Sequence, residues 1–433
     1  MSPMRWDEKL WRQSIEEFET FMVSLVSITG RRERRVAATW YVEGLLLPGQ
    51  RKSIEPMAER LEVDSQRLQQ FMTDSPWDEE AMWRRIRQEV IPHFEPLEAW
   101  IVDETGWLKQ GRHSVGVARQ YCGAVGKKAN CQVAVEVTVS DGWIAAPIGG
   151  HLYLPAAWAQ DSQRRQSAGV PPEVDFKTKP ELGLELIEQA LAGRVEPAPV
   201  LGDSVYGDCG RFRARLRELQ MEFFLQVTPS FHKGWTFEVE TELKKTRRHV
   251  VAGTPPPQSL VELTHGIPEQ KWKRCTWESV DGGSQATRLA WTRVYLPHPL
   301  RYAGGELEKV WLVVDWPQGD ETPYHYYLAH FHRPPTRARC LKLSRSRWHI
   351  EQYYRRSKND LGLDHFEGRS WRGFHHHLVL SAVAYLFVLT VYLRRKKNFW
   401  AHVGTDAPRD PPVLAEIGRL LLLLRNQVRR GNV

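Results

Sequence analysis

Cysteine is scarce: Cys122, Cys131, Cys209, Cys275 and Cys340 are the five in 433 residues. They are odd in number, scattered, and form no Cys-x-x-Cys pair, which argues against both a disulfide-stapled fold and a thiolate zinc site. Reduced, mostly buried thiols in a cytoplasmic protein are expected. Internal repeats and low-complexity segments are absent. The opening MSPMRWDEKLWRQ is charged and lacks the apolar core of a signal peptide. Only one long hydrophobic run occurs, residues 378–393 (LVLSAVAYLFVLTVYL). It is shorter than the roughly 17–25 residues of a spanning helix, so a buried core helix is expected and no membrane partner. His375-His376-His377 are consecutive and cannot share one helix face, and His325, His330 and His332 alternate poorly for tetrahedral coordination; no structural metal is expected.

What is present is a globular composition, 42% hydrophobic, in a chain long enough for two or three domains. Lys and Arg number 60 against 52 Asp and Glu, a net charge of +8. That excess suits a polyanionic partner such as nucleic acid without deciding for one.

Residues 1–95 carry helical periodicity. A basic cluster at residues 31–35 precedes a helix-turn-helix pattern: Ser53 as a cap, an inner face of Ile54, Met57, Ala58 and Leu61, a turn at residues 62–64, and a second helix with Leu68, Phe71 and Met72 inward. Gln66, Arg67, Gln69 and Gln70 then face outward, where a recognition helix needs donors for base edges. An ordinary helical hairpin with a polar surface is the competing reading.

From residue 96 strands take over. An apolar run at residues 99–102 ends in Asp103, residues 132–139 alternate, and Asp141-Gly142 is a hairpin signal. A helix over residues 179–191, a short strand ending in Asp203, a helix over 211–219 and a strand over 222–227 follow. This order matches a ribonuclease-H-like α/β fold, three antiparallel strands and then two parallel ones reached by helical crossovers. The expected boundaries are a helical DNA-binding domain 1–95, a first part of the catalytic core 96–229, a mainly β insertion 230–335, a second part of the core 336–397, and a linker with a basic helix 398–433.

Aspartates at strand ends, held by rigid backbone at the sheet edge, can share divalent cations. Singly, each is also an ordinary turn former. Glu351 is the only acid between Arg337 and Asn359, a stretch dense in Arg and Lys. Arg347, Glu351, Tyr354 and Lys358 lie at offsets of 0, 4, 7 and 11, one helix face. That pattern suits a metal ligand flanked by phosphate-binding cations; a surface Arg347–Glu351 pair worth a few tenths of a kcal/mol is the alternative.

The spacing of Arg347, Glu351 and Lys358, with DETGWLKQG, SVGVARQYCG, LYLP, GDSVYG and WHIEQYYRRSKNDLGLDHFEGRSW, resembles the DDE transposases of bacterial insertion sequences over roughly residues 95–395. The resemblance implies that Asp103, Asp203 and Glu351 are the catalytic, metal-holding triad, with two Mg2+ ions for which Mn2+ can substitute. It also implies a two-metal-ion scheme in which water frees a 3′ hydroxyl that then attacks target DNA. Implied partners are terminal inverted repeats and target DNA, with a homodimer in the synaptic complex. Expected DNA-binding residues are Arg347, Lys358, Arg355, Tyr354 and Arg119, with Arg67, Gln66 and Gln70 in the N-terminal domain. Tyr121 is a further candidate, and Trp235, Trp272, Trp277 and Trp291 are candidates for stacking on an unpaired base. One departure stands out: the family often has Tyr three residues before the Arg, and Ser344 is there. A DNA-binding regulator that has lost catalysis, and a nuclease without strand transfer, remain alternatives.

Overall fold

The computed structural model describes residues 8–244, 247–278, 284–297, 307–323 and 325–400; the basic helix expected over residues 413–430 lies outside them. Six strands form the heart of one mixed sheet: β1 (Ala99–Leu108), β2 (Ala118–Cys122), β3 (Lys127–Ser140), β4 (Ala145–Leu152), β5 (Val200–Gly202) and β6 (Phe223–Gln226). β3 lies antiparallel to β1, β2 and β4, while β5 runs parallel to β1 and to β6. The crossovers carry the helices Lys179–Ala192 and Gly210–Glu218. This is the expected ribonuclease-H-like order. Gly142 adopts φ +90° in the β3–β4 turn, the left-handed backbone that an Asp-Gly hairpin requires. Thr178 and Glu181 close a capping box at the start of the first crossover helix.

Within residues 230–335, Lys233–Gly234 pairs with Gln258–Ser259 and Thr241–Lys244 with Arg247–Val250 in two small sheets of their own, whereas the strands from Lys273 on join the main sheet. Strands Lys273–Glu278, Ser284–Leu296, Glu308–Pro317 and His325–His330 pair antiparallel in sequence, and the last pairs with β6, so the sheet grows to ten strands. The β6 edge is thereby covered rather than left to pair with another chain. Buried Arg213 forks onto buried Glu308, with Nε–Oε1 2.9 Å and Nη2–Oε2 2.6 Å, fastening the second crossover helix to the insertion.

The N-terminal helices include Ile54–Leu61 and Ser65–Thr73, with Met57, Ala58, Leu61, Leu68, Phe71 and Met72 buried as expected. The second is capped by Asp64, which accepts from Gln66 N; the Ser53 side chain makes no cap bond. This region shares one continuous core with the sheet. Its keystone is the helix Trp371–Trp400, on which Trp77 stacks at 3.8 Å from His376. That helix exceeds the length expected for it, and its stretch Trp371–Val391 is apolar enough to cross a membrane, but apart from exposed Arg372 and half-buried Thr390 it is buried against protein. Burial on every side also explains the three histidines. His375 meets Leu152 N and Trp371 O, His376 meets the carbonyls of Met72 and Trp77, and His377 meets Tyr41 and Leu363 O.

Gly207, at the end of the GDSVYG segment, has no room for a side chain: a Cβ there would overlap the Gln226 carbonyl. Gly207→Ala is expected to cost about 1–3 kcal/mol through overpacking, read by urea unfolding; an unchanged midpoint would count against this packing.

Candidate functional site

Asp103 does not end its strand. β1 continues to Leu108, but β5 pairs with it only at Trp100 and Ile101. Beyond that pair the β5 side of β1 is open, and two residues further along the chain stand Asp103, within β1, and Asp203, just past the end of β5. Asp203 caps the short helix Ser204–Gly207, accepting from Val205 N at 2.9 Å. The sheet edge expected for these carboxylates is therefore made by the early end of β5, not by the end of β1.

Helix Trp348–Leu361 lays its stripe along β1. Arg347, at its N-terminal boundary, bridges two carboxylates: Nη1 to Asp103 Oδ2 at 3.1 Å and Nη2 to Glu351 Oε1 at 2.6 Å. Tyr354 OH donates to Asp103 O at 3.3 Å, and Lys358 Nζ to Gly106 O at 2.8 Å. All four residues of the expected face thus meet β1 or one another. Two of them do so in a way that differs from a DNA-facing role. Tyr354 is buried, and Lys358 is half-buried over Trp107 with its ammonium on the backbone. Arg355, Arg119, Gln66, Arg67 and Gln70 are exposed. Among the four tryptophans offered for stacking, Trp235 is buried and Trp272, Trp277 and Trp291 are half-buried; Trp143 and Trp348 are the exposed ones among the described residues.

The sequence reading missed Glu104, Lys179 and Tyr206. Strand alternation sends Glu104 to the face opposite Asp103, yet Lys179 Nζ reaches its Oε1 at 2.6 Å and Tyr206 OH its Oε2 at 3.2 Å. Its adjacency to Asp103 was the only available signal. Four carboxylates, Asp103, Glu104, Asp203 and Glu351, therefore gather around two cations, Arg347 and Lys179.

Burial pushes the Asp103 carboxyl up to about 8; Arg347 opposes this, and Asp203 and Glu104 add to it. Asp203 is raised by burial and then by Glu104. For Arg347, burial works downward, but Asp103, Glu351 and Asp203 outweigh it and raise the guanidinium. Hard oxygen donors in net negative excess fit a divalent cation in chemistry and charge. Among the described residues, however, no three His, Cys, Asp or Glu side chains converge closely enough to enclose one. Glu351 reaches Asp103 only through Arg347.

The raised Asp103 carboxyl has a stability consequence. The folded chain holds a proton that the unfolded chain releases near pH 4, so this contribution is present below about pH 4 and lost as pH rises through about 8. Metal-free Asp103→Asn is expected to gain in melting temperature relative to the unsubstituted protein between about pH 5.5 and 9. A difference that stays constant with pH would refute the burial argument.

A family model described as DDE superfamily endonuclease matches residues 24–285, which include Asp103 and Asp203 and stop short of Glu351. A probable transposase for insertion sequence element IS701 from Microchaete diplosiphon is 33% identical over 182 residues, 41% of this chain and 44% of that protein. The chain thus aligns with less than half the length of this relative.

Proposed function

Since the chain belongs to the DDE superfamily endonucleases, we propose that it is a DNA transposase, cutting phosphodiesters at element ends and joining the freed 3′ hydroxyls to target DNA. The observation that carries this reading is the cluster of Asp103, Asp203 and Glu351 around Arg347 at the open edge beside β5. Asp103, Asp203 and Glu351 are the residues that would hold divalent ions, Mg2+ by preference, with Glu104 beside them. Bound there, such ions supply Lewis acidity at the attacking and leaving oxygens of an in-line displacement at phosphorus.

The chain's own groups prepare the site. Tyr354 and Lys358 fix β1 against the catalytic helix, so Asp103 and Glu351 keep their relative placement. Arg347 holds the Asp103 and Glu351 carboxylates together, and its planar fork would equally suit a phosphate oxygen. Arg355 and Arg119 offer further phosphate contacts, and the exposed Gln66, Arg67 and Gln70 a base-reading face in the N-terminal region. A homodimer is the assembly that would hold two element ends.

The test is a cleavage and strand-transfer assay with Mg2+ on flanked element ends. Joined products, lost on removing the metal, support the reading. Cleavage without joining leaves the nuclease alternative, and end binding without either leaves the regulator.

A further inference from the structure

Residues 105–135 contain no aspartate or glutamate but include Lys109, Arg112, Arg119, Lys127 and Lys128. A protein surface ordinarily mixes signs. Most of this run is the β2–β3 hairpin and the loop that enters it.

Directly paired residues of antiparallel strands point to the same side of the sheet. Asp103 stands opposite Glu136. Stepping back along β3 by twos reaches Gln132 opposite Trp107, Asn130 opposite Arg119, and Lys128 opposite Tyr121. Arg119, Tyr121 and Lys128 therefore stand on the face that carries Asp103, and all three are exposed. Gln120 and Cys122 take the other face and are half-buried and buried.

Helix Trp348–Leu361 covers the shared face over Asp103 and Gly106, and the segment after Gly362 continues alongside, its Leu363, Phe366 and Arg369 carbonyls accepting from Trp107 Nε1, Lys109 Nζ and Val115 N. Beyond that cover the far part of the hairpin is exposed. Residues 123–128 are exposed, and a Cβ at Gly123 or Gly126 would meet nothing within 4 Å. The arm is nevertheless braced: Asn130 Nδ2 donates to the carbonyls of Lys109 at 2.7 Å and Gly111 at 2.9 Å. Arg119, Lys127 and Lys128 have no carboxylate partner among the described residues.

We propose that the β2–β3 hairpin is a clamp for the backbone of duplex DNA, running along the sheet face that carries Asp103. The proposal rests on the reading of that site as one that processes DNA. From the Asp103–Glu136 pair to Arg119 and Lys128 is six to eight residues of β3, or roughly 20–26 Å at ~3.3 Å per residue. That span is roughly six to eight base pairs at ~3.4 Å each, so the hairpin meets phosphates well away from the reacting one. Backbone contacts of this kind position a duplex without reading its sequence. The clamp serves element end and target alike.

The experiment titrates the full-length protein against a fluorescein-labelled duplex of about 40 base pairs and arbitrary sequence, by anisotropy, between about 50 and 200 mM KCl. Arg119→Glu/Lys128→Glu is expected to bind at least about tenfold more weakly, with a salt slope flatter by about two, one unit per lost phosphate contact. Arg119→Gln/Lys128→Gln, free of added repulsion, is expected to show the same flattening with a smaller loss. Both side chains are exposed, so thermal midpoints should be unchanged. If the unsubstituted protein binds with salt-sensitive affinity and both variants match it in affinity and slope, the clamp is overturned while the DNA-processing reading stands. If the unsubstituted protein binds no duplex at all, the reading beneath the proposal fails with it.

Discussion

Asp103→Asn is expected to lower Mg2+-dependent DNA cleavage at least about 1,000-fold, about 4 kcal/mol of transition-state stabilisation. The substitution is nearly isosteric. The carbonyl oxygen of Asn can still accept from Glu104 N, the bond that Asp103 Oδ1 now accepts at 2.8 Å, and the backbone bond from Tyr354 is untouched. What is lost is a carboxyl able to give up its proton to a bound cation, and stabilising charge at phosphorus through such cations is worth several kcal/mol. Asp203→Asn and Glu351→Gln should fall in the same direction. Glu351 carries the sharper question, because it meets Asp103 only through the Arg347 guanidinium. If Glu351 is a ligand, Glu351→Gln loses cleavage and joining together, and duplex binding stays within about threefold, since its loss falls on the chemical step. Cleavage by Glu351→Gln at the unsubstituted rate would remove it from the triad.

Glu308→Ala should be the most damaging single change to stability, about 3–5 kcal/mol. Arg213 and Glu308 are both buried, and the guanidinium is held by two charge-assisted bonds, with a further bond to Gly207 O. Truncating Glu308 leaves an unpaired charge in the core, where desolvation is no longer repaid. Glu308→Gln, keeping one acceptor, should cost less. A double replacement, Arg213→Met with Glu308→Leu, should recover much of the loss, because the pair's own net contribution is small against an apolar substitute of similar volume. Urea unfolding of the four proteins measures this; a Glu308→Ala protein within about 0.5 kcal/mol of the original, the range of ordinary surface changes, would refute the buried-pair account. The pair joins Gly210–Glu218 to the first residue of Glu308–Pro317, so the loss should appear as weakened attachment of the insertion strands to the core.

The parts of this protein legible in its sequence are those with a short-range signal. Alternation and the Asp141-Gly142 turn placed β3 and β4. Helical spacing placed Arg347, Glu351, Tyr354 and Lys358 on one stripe, and that stripe does face β1. The inward residues of the two N-terminal helices followed from the same periodicity. Tertiary structure alone decided the rest. Asp103 lies mid-strand because β1 outruns β5, a matter of how far two distant segments pair. Glu104 joins the cluster through Lys179 and Tyr206, partners about 75 and 100 residues away. Tyr354 and Lys358 turn inward because β1 offers them carbonyl acceptors, which no helical wheel records. The insertion strands become sheet because β6 leaves an edge to cover, and the N-terminal helices merge with the core because they pack against the buried apolar stretch Trp371–Val391. Periodicity reports which face of an element is buried; only the folded chain determines what that face is buried against.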